Sequence, residues 1–179
     1  MRLIFYLALA YLLTGCFLNP IDFNQGQPYV SIPSITPAPQ TPDPLVTPLP
    51  DNLVDALDVM RGICFEAAFD AAGQVFIMRT AEEHINFYGL ADNSGLCRRA
   101  VVRYPFDFSD GDVLAGLWNT GIGCVARHDV TRYQRDDTNR AIRIEAQFIT
   151  EGDCNYELVR GFWVGIPNAT DYTIDIIVN

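Results

Sequence analysis

The stretch that decides the fold class is Ala-Ile-Arg-Ile-Glu-Ala-Gln-Phe, residues 141–148. From Ile142 onward, apolar side chains occupy every second position, and the positions between them are polar. This alternation is typical of a strand with one face in the core and the other in solvent. A polar stretch at residues 134–139 precedes it and predicts a hairpin turn from a strand at 124–133. The predicted core face of the return strand consists of Ile142, Ile144, Ala146 and Phe148.

Runs rich in β-branched and aromatic residues predict further strands on both sides of this hairpin. The first of them, residues 54–60, is also compatible with a short helix, and Gly121–Gly123 is interpreted as a bend between two strands. Together with the two strands of the hairpin, these runs predict seven or eight strands. The additional predicted strands are residues 54–60, 74–78, 99–104, 112–118, 158–166 and 172–178.

One helix is predicted after the second strand. Thr80 is a good N-cap, and Glu83 three residues later completes a capping box. The helix is expected to run to about Leu90 with Ala81, Ile85 and Tyr88 on its packed face, followed by a loop at 91–95. The predicted fold is therefore mainly β (a β-rich α+β class): an antiparallel sandwich or curled sheet with one helix packed on it.

Composition excludes several function classes. The 179 residues include 22 acidic and 12 basic side chains, for a net charge of −10, and every basic residue is arginine. An acidic surface does not suit nucleic acid, because binding to phosphates requires a basic face. The lack of lysine excludes Schiff-base chemistry and a P-loop, both of which use a lysine amine. We expect no cofactor.

The N-terminus carries an export signal. Arg2 precedes an apolar run at residues 3–13, which is too short to span a bilayer as a helix and fits a signal peptide. Thr14-Gly15-Cys16 resembles a bacterial lipobox, which implies cleavage after residue 15 and lipidation of Cys16. An ordinary signal peptide with a chance cysteine is the alternative. The chain is thus expected to be anchored by its lipid to a bacterial membrane, in the cell envelope, facing outward or into the periplasm.

A tether and one domain are predicted to follow the signal peptide. Nine of the eleven prolines lie in residues 16–50, so this segment is expected to be disordered and extended, reaching up to roughly 100 Å. It is interpreted as a spacer, with a proline-rich docking ligand as the alternative. Residues 51–179 are predicted to form a single extracytoplasmic domain, long enough for one core.

Four cysteines remain after Cys16. An even number in an exported chain favours two disulfides over buried thiols. Zinc coordination is disfavoured because none of the cysteines lies at short spacing from another, and no metal site is predicted. The favoured pairing is Cys124 with Cys154, near the ends of consecutive β elements, which leaves Cys64 with Cys97.

Candidates for nucleophilic catalysis are few. The domain contains two serines, Ser94 and Ser109, and neither lies in a G-x-S-x-G motif. His84 on the helix and His128 on a strand are both expected to be packed structural residues. No catalytic residue is therefore predicted.

Other residue groups have competing interpretations. Asp107, Asp110 and Asp112 suggest a calcium site, but their order around Gly111 favours an Asx-type turn. Trp118 and Trp163 are expected in the core, with a sugar-stacking platform as the alternative. A group of arginines is a possible surface for a protein partner, the alternative being a solvated, ion-paired sheet edge. These arginines are Arg98, Arg99, Arg103, Arg132 and Arg135.

The chain contains a series of short motifs in a particular order, at residues 75–79, 80–83, 105–109, 113–118, 121–123, 151–154 and 166–167. Together they resemble the C-terminal domain family of the protease complex subunit PrcB. The resemblance covers about residues 57–167 and implies a lipid-anchored accessory protein that associates with a surface protease, with no catalytic residues to carry over. The chain departs from the family pattern at His84, which replaces a tryptophan, in the possible Cys64–Cys97 pair and in a strand after Pro167.

Three functions are compatible with the sequence. The first is a non-enzymatic binding or accessory domain held off the membrane by the lipid and the tether. The second is a hydrolase or carbohydrate-acting enzyme that uses paired carboxylates with Trp118 or Trp163. The third is a protease inhibitor, for which residues 91–96 are the candidate inhibitory loop.

Overall fold

The structure, a computed structural model, describes residues 48–179. The predicted signal peptide, the predicted lipidation site Cys16 and the predicted tether up to residue 47 lie outside the described residues. None of the helices in residues 48–179 is long and apolar enough to cross a membrane. The strands are β1 (Val54–Asp55), β2 (Phe76–Met78), β3 (Val113–Asp136), β4 (Ala141–Ile166) and β5 (Thr173–Val178), and the helices are α1 (Leu57–Met60), α2 (Phe65–Asp70) and α3 (Ala81–Asn93).

The strand-rich, mainly antiparallel fold predicted from the sequence is confirmed. The sheet has the order β1-β4-β3-β2, and β5 adds to β4 in parallel. Its centre is the long β3–β4 hairpin, paired from Val113 with Ile166 to Asp136 with Ala141. The turn at residues 137–140 overlaps the predicted hairpin turn at 134–139, but residues 134–136 still belong to β3.

The hairpin curves back on itself. At its tip, the Arg135 guanidinium donates hydrogen bonds to the carbonyl oxygens of Pro167 and Asn168, which directly follow the opposite end of β4. One hydrophobic cluster accordingly joins residues from both ends of the hairpin, such as Val113 and Ile144. This curvature accompanies register shifts at Gly123/Val125 and Val130/Arg132, since a bulge bends a strand and increases its twist.

Strand number and helix number differ from the prediction. The described residues contain five strands and three α-helices, because residues predicted as separate strands merge into β3 and into β4. The glycine bend at 121–123 is part of β3, where cross-strand hydrogen bonds continue through it. Residues 54–60 form a two-residue strand followed by one helical turn. At the start of this turn, the Asp55 carboxylate accepts a hydrogen bond from the Leu57 amide.

The predicted strand at residues 99–104 is not formed. This segment lies against the connection between α1 and α2 and against the end of α3 instead of beside a strand, and side chains hold it. The Val101 amide donates to the Asp92 carboxylate at 2.8 Å, and the Arg61 guanidinium stacks on the Tyr104 ring at 4.3 Å. Gly62 permits the contact, since an added Cβ would lie within 3 Å of the Val102 backbone.

Helix α3 begins as predicted but differs in its end and its packed face. The Thr80 hydroxyl accepts a hydrogen bond from the Glu83 amide, and the helix continues to Asn93, three residues beyond the prediction. Its buried residues are His84 and Tyr88, whereas Ile85 is 53 % exposed. The predicted face was therefore confirmed at Tyr88 and wrong at Ala81 and Ile85, which are both exposed, because aromatic rings rather than aliphatic side chains pack inward.

The helices cover one face of the sheet through an aromatic cluster. Trp118 and Trp163 are buried with ring centroids 4.8 Å apart, and Phe76 of β2 packs edge-on against Phe87 of α3 at 4.9 Å. The core position expected for both tryptophans is confirmed. Because neither presents an open ring face, they do not form a sugar-stacking platform.

Candidate functional site

Both expected disulfides are present. Cys124–Cys154 joins β3 to β4 with Cα atoms 4.8 Å apart, and Cys64–Cys97 joins the start of α2 to the segment after α3 with Cα atoms 5.6 Å apart. Gly152 makes the first bridge possible, because it has a positive φ of 86° and an added Cβ would lie 2.5 Å from Cys124 Sγ. Disulfides persist in oxidising compartments, which favours a location outside the cytoplasm.

The structure does not bring the five candidate arginines onto one surface. Arg98 and Arg99 are exposed after the C-terminal end of α3, and Arg103 pairs with Asp92 at 3.5 Å. Arg132 lies on β3, where it faces Glu145 at 3.9 Å. Arg135, also on β3, is held by Asp137 and by stacking on Tyr172 at 4.3 Å.

Arg135 and Arg98 lie near opposite ends of α3. Immediately before the helix, Arg79 donates to the backbone oxygens of Thr170 and Tyr172, which places Tyr172 and Arg135 at the N-terminal end. Arg98 follows the C-terminal end, about 20 Å away for 13 helical residues. Only Arg98 and Arg99 remain as adjacent, exposed guanidinium groups.

The histidines and serines do not form a nucleophile pair among residues 48–179. His84 is 5 % exposed and packs on Tyr88 and Phe108, and burial lowers its pKa. His128 bonds to Asn119. Ser94 caps the end of α3 by donating to the Ala91 carbonyl oxygen.

The acidic residues around Gly111 serve local structure. The Asp107 carboxylate accepts a hydrogen bond from the Ser109 amide at 2.8 Å, an Asx-type turn that lowers the pKa of Asp107. The Asp112 carboxylate accepts from the Asn168 amide at 3.1 Å. In residues 48–179 no three His, Cys, Asp or Glu side chains are grouped to hold a metal ion.

An apolar groove with a volume of about 200 Å³ lies between α2 and α3. Its floor is the aromatic cluster, and its rim includes Leu90 and Leu96, which are 71 % and 38 % exposed. Asp70 is the only ionisable side chain among the residues that line it. The apolar lining consists mainly of Ile63, Ala67, Phe76, Phe87, Leu90 and Leu96.

The Cys64–Cys97 disulfide holds the two walls of this groove together. Cys64 is the N-cap residue of α2, which forms one wall, and Cys97 follows Leu96 on the other. The groove is therefore preformed by a covalent link between segments that share no β-sheet pairing. Preformed walls favour binding, because less conformational entropy is lost when a partner docks.

Sequence reasoning did not identify this groove. Helix α2 was not predicted, and Leu90 was placed at the end of a helix without a role. Residues 91–96 were interpreted as an inhibitory loop, whereas 91–93 belong to α3 and Ala91, Ser94 and Leu96 line the groove. The pairing of Cys64 with Cys97 was the one sequence signal that these two regions meet.

Comparison of the chain with protein-family models, characterised proteins and solved structures finds no match.

Proposed function

We propose that the chain is an envelope lipoprotein whose domain binds a partner protein and catalyses no reaction itself. The anchor is argued from the N-terminal sequence, where Thr14-Gly15-Cys16 ends an apolar run of signal-peptide length. The two disulfides of the domain fit an exported chain. The proline-rich segment 16–50 then acts as a spacer between membrane and domain.

Replacing the lipidated cysteine tests the anchor. In cells that export the chain, the Cys16→Ala variant is expected to leave the membrane pellet for the soluble fraction, because the attached acyl chains provide the membrane affinity. Metabolic labelling with a palmitate analogue should mark the wild-type chain and not the variant. A wild-type chain that is unlabelled, or a variant that remains in the pellet, contradicts the proposed anchor.

The partner-binding role rests on the apolar groove between α2 and α3. A 200 Å³ groove is smaller than the usual site for a drug-sized ligand, but it fits the bulky anchor side chain of a protein partner. On its rim, Leu90 and Leu96 are 71 % and 38 % exposed, so the apolar lining of the groove continues onto the surface, as it does in interaction sites.

The charge of the groove indicates the chemistry of the partner. Asp70 is the sole charged residue in the lining, so a basic residue next to the apolar anchor would pair with it. We therefore propose that the groove holds a partner segment with a bulky apolar residue beside an arginine or lysine. The resemblance to the PrcB family suggests a surface protease as the protein that supplies this segment.

Site-specific photo-crosslinking tests the groove. A photoreactive phenylalanine analogue at position 90, in the membrane-bound full chain, is expected to capture a segment of the stated chemistry. The same analogue at position 85 is the matched control, since Ile85 is also exposed on α3 but does not line the groove.

A synthetic peptide of the captured segment should bind the full chain. The Leu90→Asp substitution should weaken the binding of this peptide by about 2 kcal/mol, roughly thirtyfold.

Other outcomes separate the remaining functions. Equal crosslinking from positions 85 and 90, or equal loss of peptide affinity in Ile85→Asp, contradicts groove binding. Capture of the catalytic cleft of a protease, with inhibition of that protease, would favour the inhibitor hypothesis. Crosslinks confined to other copies of this chain would make the groove a self-association surface instead.

A further inference from the structure

The outer edge of β4 has no strand beside it at residues 157–161. On the side away from β3, β1 pairs with β4 only at Val164 and Gly165, and the chain then turns into α1. The Ala56 amide donates the last hydrogen bond on this side, to the Trp163 carbonyl oxygen. Among residues 48–179, no backbone group pairs with 157–161 beyond that point.

The hydrogen bonds on both strands show which backbone groups face this edge. In an antiparallel ladder the N–H and C=O of one residue point to the same side, and successive residues alternate. Because Trp163 faces β1, Gly161 and Val159 also face outward. The opposite strand agrees, since the Trp118 carbonyl oxygen, in register with Gly161, accepts from the Gly73 amide and not from β4. Gly161 and Val159 therefore present two N–H and two C=O groups to the edge.

An apolar pocket lies beside this edge, on the face of the sheet that α1 and α2 cover. It has a volume of about 350 Å³, and we call it the helix-side pocket. Phe65 in its lining is 49 % exposed, so its apolar surface is open to solvent. The apolar side chains that line it include Leu57, Met60, Ile63, Phe65, Ala68 and Val159.

Arg160 serves the other face of the sheet at the same edge. Side chains alternate along a strand, so Arg160 points to the face where Phe162 packs, opposite to the face of Val159. Arg160 is exposed and has no ion pair with any described residue. In a chain with a net charge of −10, a guanidinium left without a carboxylate is a specific place for an acidic side chain.

We propose that an extended segment of a partner protein adds to β4 at this edge as a further strand. Its backbone pairs with Gly161 and Val159, a bulky apolar side chain enters the helix-side pocket, and an adjacent Asp or Glu contacts Arg160. Neighbouring residues of one strand reach both faces, because successive side chains point to opposite sides. In such added strands the main-chain hydrogen bonds give affinity, and the alternate side chains give specificity.

A second copy of this chain fits the edge less well than an acidic partner. Antiparallel pairing of β4 with itself at this point would bring two Arg160 side chains together on one face, where like charges repel. The proposal is also independent of the apolar groove, because α2 lies between the two surfaces. Ala67 and Asp70 of α2 line the groove, whereas Phe65 and Ala68 line the helix-side pocket.

A synthetic peptide of sequence Thr-Thr-Phe-Glu-Phe-Thr-Thr, with blocked ends, is the probe for this edge. The full chain in detergent, labelled with ¹⁵N-glycine and with ¹³C at the arginine carbonyl, gives two coupled Arg-Gly signals, from Gly62 and Gly161. The Gly161 signal is identified by the loss of its coupling in Arg160→Gln. Titration with the peptide is expected to shift the Gly161 amide saturably, with a Kd below about 1 mM.

Variants of the peptide and of the chain separate strand addition from unspecific adhesion. Lysine in place of the glutamate should weaken binding about tenfold, and Arg160→Glu should reverse this preference. Only alternate amides of an added strand face β4, so N-methylation should weaken binding about tenfold at either the glutamate or the second phenylalanine, but not at both. The matched control Arg99→Gln, exposed and away from the edge, should bind the peptide as the wild type does.

Three results would overturn the proposal. The first is a Gly161 signal that is unshifted at about 5 mM peptide, where a millimolar Kd is readily detected. The second is equal affinity for the glutamate and lysine peptides, or for the parent and both N-methylated peptides. The third is a Gly161 amide that already exchanges slowly with solvent before peptide is added, since the edge would then be covered by a part of this chain outside residues 48–179. None of these measurements depends on crosslinking from position 90.

Discussion

Gly116→Ala is expected to destabilise the domain by about 3 kcal/mol, at the upper end of the usual cost of overpacking a core. Gly116 lies in β3 opposite Trp163 of β4, with Phe76 of β2 on its other side. An added Cβ would be 2.2 Å from the Phe162 carbonyl oxygen and 2.6 Å from the Trp163 ring. The strand backbone is fixed by its ladder, and the ring is packed against Trp118, so neither has room to move.

Gly89→Ala is the matched control for this prediction. Gly89 lies inside α3, and no atom lies within 4 Å of its added Cβ. The same substitution is therefore expected to stabilise the domain by about 1 kcal/mol, the difference in helix propensity between alanine and glycine. Urea unfolding of both variants gives the two values. A Gly116→Ala chain as stable as the wild type would show that Trp163 does not pack over β3 at this point.

Features governed by neighbours in the chain were predictable from the sequence. The alternation at Ile142, Ile144 and Ala146 predicted which side chains of β4 are buried. Thr80 and Glu83 predicted the start of α3, because a capping interaction spans only three residues. The even cysteine number and the order of the β elements led to both disulfide pairings.

Features governed by distant partners were not predictable in the same way. Gly121–Gly123 resembles a break when considered locally, but β4 pairs across it and keeps β3 continuous. Residues 99–104 have strand-forming side chains, yet they lie against the connection between α1 and α2, so tertiary packing overrides local preference. His84 rather than Ile85 faces inward on α3 because Tyr88 and Phe108 provide an aromatic environment for its ring.

The apolar groove depends on such distant contacts. It combines α2 with the C-terminal end of α3, and the residues between them include Phe76 of β2 and Trp118 of β3. The sequence alone places Trp118 in the core, but it does not indicate that this residue also lines a groove.

Removing the Cys64–Cys97 disulfide is expected to reduce both stability and partner binding, whereas removing Cys124–Cys154 is expected to reduce stability alone. The bridged residues are 33 and 30 positions apart, so loop-closure entropy gives nearly the same cost for each, roughly 3–4 kcal/mol. The paired substitutions are Cys64→Ala with Cys97→Ala, and Cys124→Ala with Cys154→Ala. Urea unfolding measures the stability of each.

The two bridges differ in what else holds their surroundings. Cys124 and Cys154 lie in paired strands, with Gly123 opposite Tyr156 and Val125 opposite Glu151, so the sheet keeps its local geometry without the bond.

The segment that begins at Cys97 has no strand partner. Releasing this segment frees the wall of the groove that contains Leu96. Crosslinking from position 90 should therefore fall sharply in the first double variant, under conditions where both remain folded, and stay near the wild-type level in the second. The reverse pattern would mean that the partner does not bind between α2 and α3, because the bond that matters for binding would then lie in the hairpin.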